Sequence, residues 1–435
     1  MNTGMRSLRL AVTAIGAVTL GGSAAAAGSP SAGVAPRHLG VASCAASACH
    51  GKIAPQTHVN VALNEYRTWL LSDRHSQAFR ILQSAKSGAI ASKLGIADAS
   101  TAKACLDCHA DNVPTELRGE KFLLSDGVGC ESCHGGAQAW IGTHSKVGAL
   151  HADNVARGMV PLERAQVRAD VCLACHAGDS ERFVTHALIA AGHPRLRFEL
   201  ENYTANMPPH HREDADYRQR KRAPDGFNLW LVGQLRNARS HVQLLQGDWM
   251  AAGRMQPELA FYECFACHRP VDELRWTRKR AGADVQPGAL RLQHQSLAVL
   301  TVITGVIEAQ ALPELQEAMG EYVRSGARDV GDVKQAAARL ARWLDARSSW
   351  ETRSYGAAEA RDIRRSLLKF AADDGSSDYT VAEQVVLSID SLSATLGDVQ
   401  PLGSALEALY AEVRTPAAFD PTRFARTAGS VEGRF

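Results

Sequence analysis

In the last third of the chain, apolar residues return at every third or fourth position, the spacing that lines one face of a helix. Such stretches run over Leu290–Ala309, Pro313–Ser325, Val333–Arg347, Ala357–Ala372 and Thr380–Leu396. The run Thr380-Val381-Ala382-Glu383 has the form of a capping box opening the last of them. Upstream, Leu71, His75, Ala78, Phe79 and Leu82 fall on one helical face, which would turn the His75 imidazole inward. His186 and His193 are seven residues apart, two helical turns on one side, and Pro194 pulls His193 away from helical geometry. No segment alternates apolar and polar residues long enough to read as a strand. The pattern therefore predicts a mainly α chain.

The amino terminus is patterned differently. Arg6 and Arg9 precede an apolar run of twelve residues, Ala11 to Gly22, and small residues follow at Ala24 to Ala27. That is the form of an export signal covering residues 1–27. A membrane span needs about 20 apolar residues, so a retained anchor is the weaker expectation. Neither an Arg-Arg pair nor a cysteine near the cut suggests twin-arginine export or lipidation. No later segment approaches a transmembrane helix, and a periplasmic or otherwise extracytoplasmic destination is expected.

Cysteine changes the picture most. The chain has ten, and all fall in five pairs, each followed at once by histidine: Cys44/Cys49/His50, Cys105/Cys108/His109, Cys130/Cys133/His134, Cys172/Cys175/His176 and Cys264/Cys267/His268. With histidine at 16 of 435 positions, composition does not explain five coincidences in five. A redox Cys-x-x-Cys pair has no use for the trailing histidine. Structural zinc gathers four ligands from two such knuckles, and five pairs leave one over. Covalent haem attachment needs both features, two thiols for thioether bonds and an adjacent imidazole as proximal iron ligand. The reading is five covalently attached haem c groups, with a small disulfide loop as the bland alternative for the wider Cys44–Cys49 spacing. All five sites lie between Cys44 and His268, so porphyrin would form much of the core there. Residues 28–285 are accordingly read as a pentahaem domain, and 286–435 as a helical C-terminal domain without haem sites.

Charge adds little. The formal net charge is +2, and loss of Arg6 and Arg9 with the leader brings it to zero. Haem propionates then make the holoprotein acidic, so nucleic acid is not an expected partner. Basic clusters at Arg218, Arg220, Lys221 and Arg222, and at Arg275, Arg278, Lys279 and Arg280, read as solvated loops, propionate contacts or a docking patch.

Eleven histidines remain as candidates for the opposite face of each iron. His75, His144, His186, His193 and His210 lead. His58, His151, His241 and His294 rank below them, and Met159 and Met207 read as packing residues rather than thioether ligands.

The stretch GVGCESCHGG, followed by Trp140 and His144, resembles the multihaem cytochrome family that contains the tetrahaem cytochrome of ammonia-oxidising bacteria. That family is related more distantly to hydroxylamine oxidoreductase and pentahaem nitrite reductase. CAASACHG, EYRTWLLSDRHSQAF and HALIAAGHPRLRFELENYTANMPPHH are similar to exported multihaem cytochromes of the same group. The likeness spans roughly residues 40 to 275 and leaves out the C-terminal helices. It implies a mainly α multihaem cytochrome c fold with a haem-filled core and little strand, close haem pairs, and mostly bis-histidine ligation. It also carries distal roles onto His75, His144, His186 and His193, with His210 less secure. The Cys44–Cys49 spacing departs from the tetrahaem relative.

The leading functional reading is electron transfer, since two imidazoles per iron leave no open position for a substrate. Its partners would be redox proteins, either a quinol-oxidising membrane protein or other cytochromes. The alternative is a haem oxidoreductase of a small nitrogen or sulfur species, such as nitrite or hydroxylamine. It would need one open iron and proton donors beside it, for which Tyr203, Arg195 and His211 are candidates. Histidine at all five proximal positions counts against the pentahaem nitrite reductase pattern, in which lysine stands at one. A third reading makes the C-terminal helices, with Arg339, Arg342 and Arg347, the interface of a larger assembly.

Overall fold

The structure is a computed structural model that describes residues 35–55, 62–211, 215–221, 225–251, 257–268, 289–373 and 375–435. The expected export signal, His58, Arg222 and the basic run from Arg275 to Arg280 lie outside the described residues. Among the described residues the regular structure is helical, with only two isolated β-bridges, His38 to Arg118 and Tyr262 to Leu292. The mainly α expectation holds. No described helix is long and apolar enough to cross a membrane.

Short helices carry the cysteine motifs. Lys103–His109, Cys130–His134, Ala165–His176 and Cys264–Cys267 hold or open on the four Cys-x-x-Cys-His runs. Positions i, i+3 and i+4 lie on one helical face, so each turn aims two thiols and an imidazole the same way. At the fifth site the two extra residues between cysteines prevent this. Residues 47–50 form a turn instead, closed by His50 N–H to Cys44 O at 3.1 Å and Gly51 N–H to Ala46 O at 3.0 Å. A Cβ on Gly51 would lie 1.8 Å from the Ala45 carbonyl, which fixes glycine there.

The Gly226–Gln246 helix joins the motifs to the rest. Leu229 and Val232 pack with Ala165, Ala169 and Leu173 of the Cys172 helix, together with Phe198 and Leu200. Its opposite face, Phe227, Trp230, Leu231, Leu235, Ala238, Val242 and Leu245, is buried in the large C-terminal core. It crosses the Leu200–Asn206 helix closely enough that a Cβ on Gly233 would meet Leu200 at 2.7 Å. The Cys172 helix and the C-terminal helices therefore pack in two apolar clusters on opposite faces of this helix.

The C-terminal helices follow the hydrophobic spacing with small shifts: Gln295–Ile307, Leu312–Ser325, Val330–Asp345, Ala357–Ala372 and Tyr379–Leu396. Residues 290–294 are not helical, because Leu292 bridges to Tyr262 instead. Two further helices, Val399–Glu412 and Pro421–Val431, complete the layer. The expected capping box at Thr380 does not form. The helix starts at Tyr379 with Asp378 at its N-cap, and Thr380 lies inside it, its hydroxyl donating to Glu263 at 2.5 Å. Glu383 accepts from Arg195 at 2.5 Å and Arg197 at 3.2 Å. Both side chains are drawn to the haem-motif segment rather than to their own backbone.

The expected single helical face from Leu71 to Leu82 is also broken. Helix Glu65–Ser72 stops at Asp73, a 3-10 turn covers Arg74–Gln77, and Ala78–Leu82 resumes the helix. Asp73 ends the first segment in extended geometry and caps the turn by accepting the His75 N–H at 3.0 Å. Leu71 is left 70% exposed, off the buried face on which the periodicity placed it.

Candidate haem-binding site

Histidines far apart in sequence meet in twos. The ring centroids of His50 and His144 are 6.0 Å apart, with planes 12° from parallel. His75 and His176 are 6.2 Å apart and His109 and His193 6.3 Å, both at 89°. His186 and His268 are 6.2 Å apart at 28°. Four of the five imidazoles that follow cysteine thus face one of the five leading candidates. The spacing has a simple reading. An imidazole nitrogen binds a first-row metal at about 2.0–2.1 Å, so two rings on opposite sides of one ion have centres about 6.4 Å apart.

The hydrogen bonds leave the right atom available. His50 Nδ1 pairs with Glu65 Oε2 at 2.9 Å, and His75 Nδ1 with Asp73 Oδ1 at 2.9 Å. His109 Nδ1 donates to the Ala78 carbonyl at 3.1 Å and His193 Nδ1 to the Pro194 carbonyl at 2.7 Å. Anchoring Nδ1 fixes ring orientation and tautomer and turns Nε2 toward the opposite ring, as outer-shell partners do for metal-ligating histidine. The Glu65 and Asp73 carboxylates raise the pKa of His50 and His75 above the ordinary imidazole value. Phe198 stacks on His176 at 4.7 Å, with Tyr203 edge-on at 5.7 Å, and Trp140 stands edge-on to His144 at 5.6 Å.

One helix serves two pairs. His186 opens the His186–Ala191 helix, whose first turn is capped by Thr185, and its N–H donates to Glu258 at 2.7 Å. Gly192 ends the helix with φ of 121°, one residue before His193. The helix thus stops before the proline, and the two imidazoles go to different partners, His268 and His109.

His134 and His210 are the remainder of the two sets. Enclosure by protein pushes His134 down to about 4, with positive charge on His210, His50, Lys221 and His144 adding to the effect. Its side chain nevertheless presents accessible surface. Those two facts agree when the ring looks into an interior space. Around this motif several buried polar atoms have no partner, namely Ser132 Oγ, Trp140 Nε1, Asn154 Oδ1 and His210 Nδ1. Buried polar atoms without a protein partner beside this motif fit contact with a prosthetic group.

No two of the ten cysteines are joined as a disulfide. Cys44 bonds to Cys130, which lowers its own pKa and raises that of Cys130. Cys108 bonds to Cys175, bringing Cys175 down to about 7. Neighbouring motifs therefore meet at their thiol edges. Among the described residues no three His, Cys, Asp or Glu side chains gather as a zinc site requires.

The lower-ranked histidines among the described residues have other partners. His241 Nε2 lies 2.8 Å from the buried Tyr322 hydroxyl, His151 Nε2 3.0 Å from Glu163, and His294 Nδ1 donates to the Leu292 carbonyl. Met159 is buried against Ala137 and Trp140, and Met207 is exposed. Tyr203 packs on His176, Arg195 pairs with Glu383, and His211 lies 5.2 Å from the Tyr217 ring.

Sequence reasoning passed over three residues that shape the sites. Asp73 orients His75. His38 pairs through Nδ1 with Asp111 at 2.8 Å beside the Cys130 motif. Glu131, between the cysteines of CESCH, is buried and accepts the N–H groups of Leu39, Gly40 and Ala137. An acidic residue inside a motif whose other positions face a ligand was the signal available for Glu131.

A comparison with family models matches residues 43–135 to the family described as cytochrome c554 and c-prime. The matched span holds three of the five Cys/His motifs, those at Cys44, Cys105 and Cys130. No curated protein and no solved structure matches the chain. The family match supports a c-type cytochrome that holds haem covalently and transfers electrons.

Proposed function

We propose that the chain is an exported pentahaem c-type cytochrome that moves electrons through closely packed, mostly bis-histidine haems. The observation that carries this reading is the set of four imidazole pairs at 6.0–6.3 Å, each joining a motif histidine to one distant in sequence. Cys44/Cys49, Cys105/Cys108, Cys130/Cys133, Cys172/Cys175 and Cys264/Cys267 would hold five haems. His144, His193, His75 and His186 would stand opposite His50, His109, His176 and His268. Haem c, when bound, supplies a one-electron ferric/ferrous couple.

The protein supplies position. Glu65, Asp73 and two backbone carbonyls hold Nδ1 of the ligands, and the motif helices fix the thiols. Contact of Cys44 with Cys130, and of Cys108 with Cys175, brings attachment edges of neighbouring sites together, the closeness that electron hopping needs. Residues 1–27 would be removed on export, residues 28–285 would carry the haems, and the C-terminal helices from 286 would buttress them. Redox proteins, either a quinol-oxidising membrane protein or other cytochromes, would be the partners.

The test is a haem count on the mature protein by pyridine haemochrome and intact mass. Five haems per chain with largely low-spin ferric signals is the expected result. Fewer haems, or a mainly high-spin spectrum, overturns the reading.

A further inference from the structure

A single guanidinium touches two of the haem motifs. The Ala165–His176 helix runs into a tight loop, where Gly178 takes φ of 106° and a Cβ on it would lie 2.6 Å from the Arg182 carbonyl. Asp179 closes that loop, its Oδ1 accepting the N–H groups of Glu181 at 2.8 Å and Arg182 at 2.9 Å. Its Oδ2 accepts from Arg182 Nε at 3.0 Å and Nη2 at 2.6 Å. Two of the three guanidinium nitrogens are thereby fixed, and the third is left for the motifs. Arg182 Nη1 donates to Cys175 Sγ at 3.5 Å and to the Asp107 carbonyl at 3.3 Å. Cys175 belongs to the motif that ends at His176, and Asp107 lies inside the motif that ends at His109. The motifs meet at that point, with Cys175 Sγ 3.8 Å from the same carbonyl.

The loop is also held from outside. Trp249 Nε1 donates to the Asp179 carbonyl at 2.9 Å, and the Ser240 hydroxyl donates to the Gly178 carbonyl at 3.1 Å. The other acid at this junction, the Asp107 carboxylate, is taken by Lys103 and by Asn112 Nδ2 at 2.6 Å. Asp179 binds one edge of the guanidinium fork, so the cation lies between that carboxylate and the two motifs. Arginine keeps its charge at every accessible pH.

We propose that Arg182 sets the potentials of two haems together, the one on Cys105, Cys108 and His109 and the one on Cys172, Cys175 and His176. Reduction moves one electron onto a ferric iron, and no bond is made or broken. A fixed cation at the shared edge favours the ferrous state of both irons, so both accept an electron at higher potential than they would without Arg182. This inference rests on the reading that all five motifs carry haem, which the haem count tests separately.

The mature holoprotein, with five haems confirmed, is titrated potentiometrically and followed by EPR. The two sites beside Arg182 are those whose imidazole planes cross at 89°, so their large-gmax signals are separate from the rhombic ones. In Arg182→Gln both large-gmax signals are expected to move to lower potential, while the rhombic signals stay in place. The ferric/ferrous ratio at fixed potential rises roughly tenfold at each, for a unit charge at an effective dielectric of about 20. The one-electron factor converts that ratio to about 59 mV. Asp179→Asn removes the anion and keeps the cation, and both large-gmax signals are expected to move upward. Structural loosening of the loop would move the two variants the same way, and that result overturns the inference. So does the absence of a shift, a shift shared equally by all signals, or a shift of only one large-gmax signal. If Arg182→Gln does not retain five haems, the sign of the Asp179→Asn shift decides alone. Fewer than five haems in the wild type overturns the underlying reading and this inference with it.

Discussion

Replacing Asp73 by Asn removes one negative charge and leaves the shape of the side chain almost unchanged. Asp73 is 5% exposed and accepts from the His75 N–H at 3.0 Å and from His75 Nδ1 at 2.9 Å. Hydrogen bonds to a charged group contribute about 1.5–3 kcal/mol each, against about 1 kcal/mol for neutral ones. The amide keeps one acceptor oxygen and can serve one of the two donors in the neutral class. The His75 imidazole is therefore held about 2 kcal/mol less firmly, close to thirtyfold in an equilibrium constant. Cyanide competes with His75 for the iron opposite His176, so its apparent affinity at that site rises by roughly the same factor. Titration of the oxidised holoprotein should show one more haem binding cyanide than the wild type does at the same concentration. A folded Asp73→Asn protein with an unchanged affinity at that site refutes the argument that Asp73 holds His75 in place.

Further expectations follow from the same geometry. The imidazole planes are nearly parallel at His50/His144 and His186/His268 and perpendicular at the other two pairs. Low-spin ferric EPR should therefore resolve two rhombic and two strongly axial, large-gmax signals, and a single class of signal contradicts the pairing. Glu383 is buried and pairs with half-buried Arg195 and exposed Arg197, and Glu383→Ala leaves Arg195 without its carboxylate. Removing one member of a buried pair costs about 3–5 kcal/mol, read as a fall in the denaturant midpoint; a loss below about 1 kcal/mol rejects the buried-pair account. Glu199, 1% exposed, is pushed up to about 7 by burial. A carboxyl with a raised folded pKa binds more protons folded than unfolded, so its contribution is full below about pH 4.5 and is lost as pH rises through 7. The drop is on the order of 3 kcal/mol, and Glu199→Gln should flatten that part of the stability–pH profile. If the slope persists in Glu199→Gln, another group is responsible.

Local sequence determined what needs only local geometry. Cysteine, two spacers, cysteine and histidine place three side chains on one helical face wherever the run occurs, so the motifs were legible before any fold was known. The same holds for helices such as Ala357–Ala372, whose apolar spacing is a property of the segment itself. The five leading candidate histidines could be ranked from their surroundings, but not assigned to partners. His75 meets His176 and His50 meets His144 across about a hundred residues of chain, and periodicity carries no information at that distance.

Tertiary structure decided the rest by competition for polar partners. Thr380 and Glu383 had the letters of a helix cap, yet at this buried helix start their side chains went to Glu263 and to the Arg195/Arg197 pair instead. Asp73 broke an apparently continuous amphipathic helix because its carboxylate caps the following turn and anchors an imidazole in the same stroke. The Nε2 of His210 is drawn to that same carboxylate, a partner that sequence pattern did not reveal. A buried charge must find its partners wherever the fold brings them, and only the fold says which residues those are.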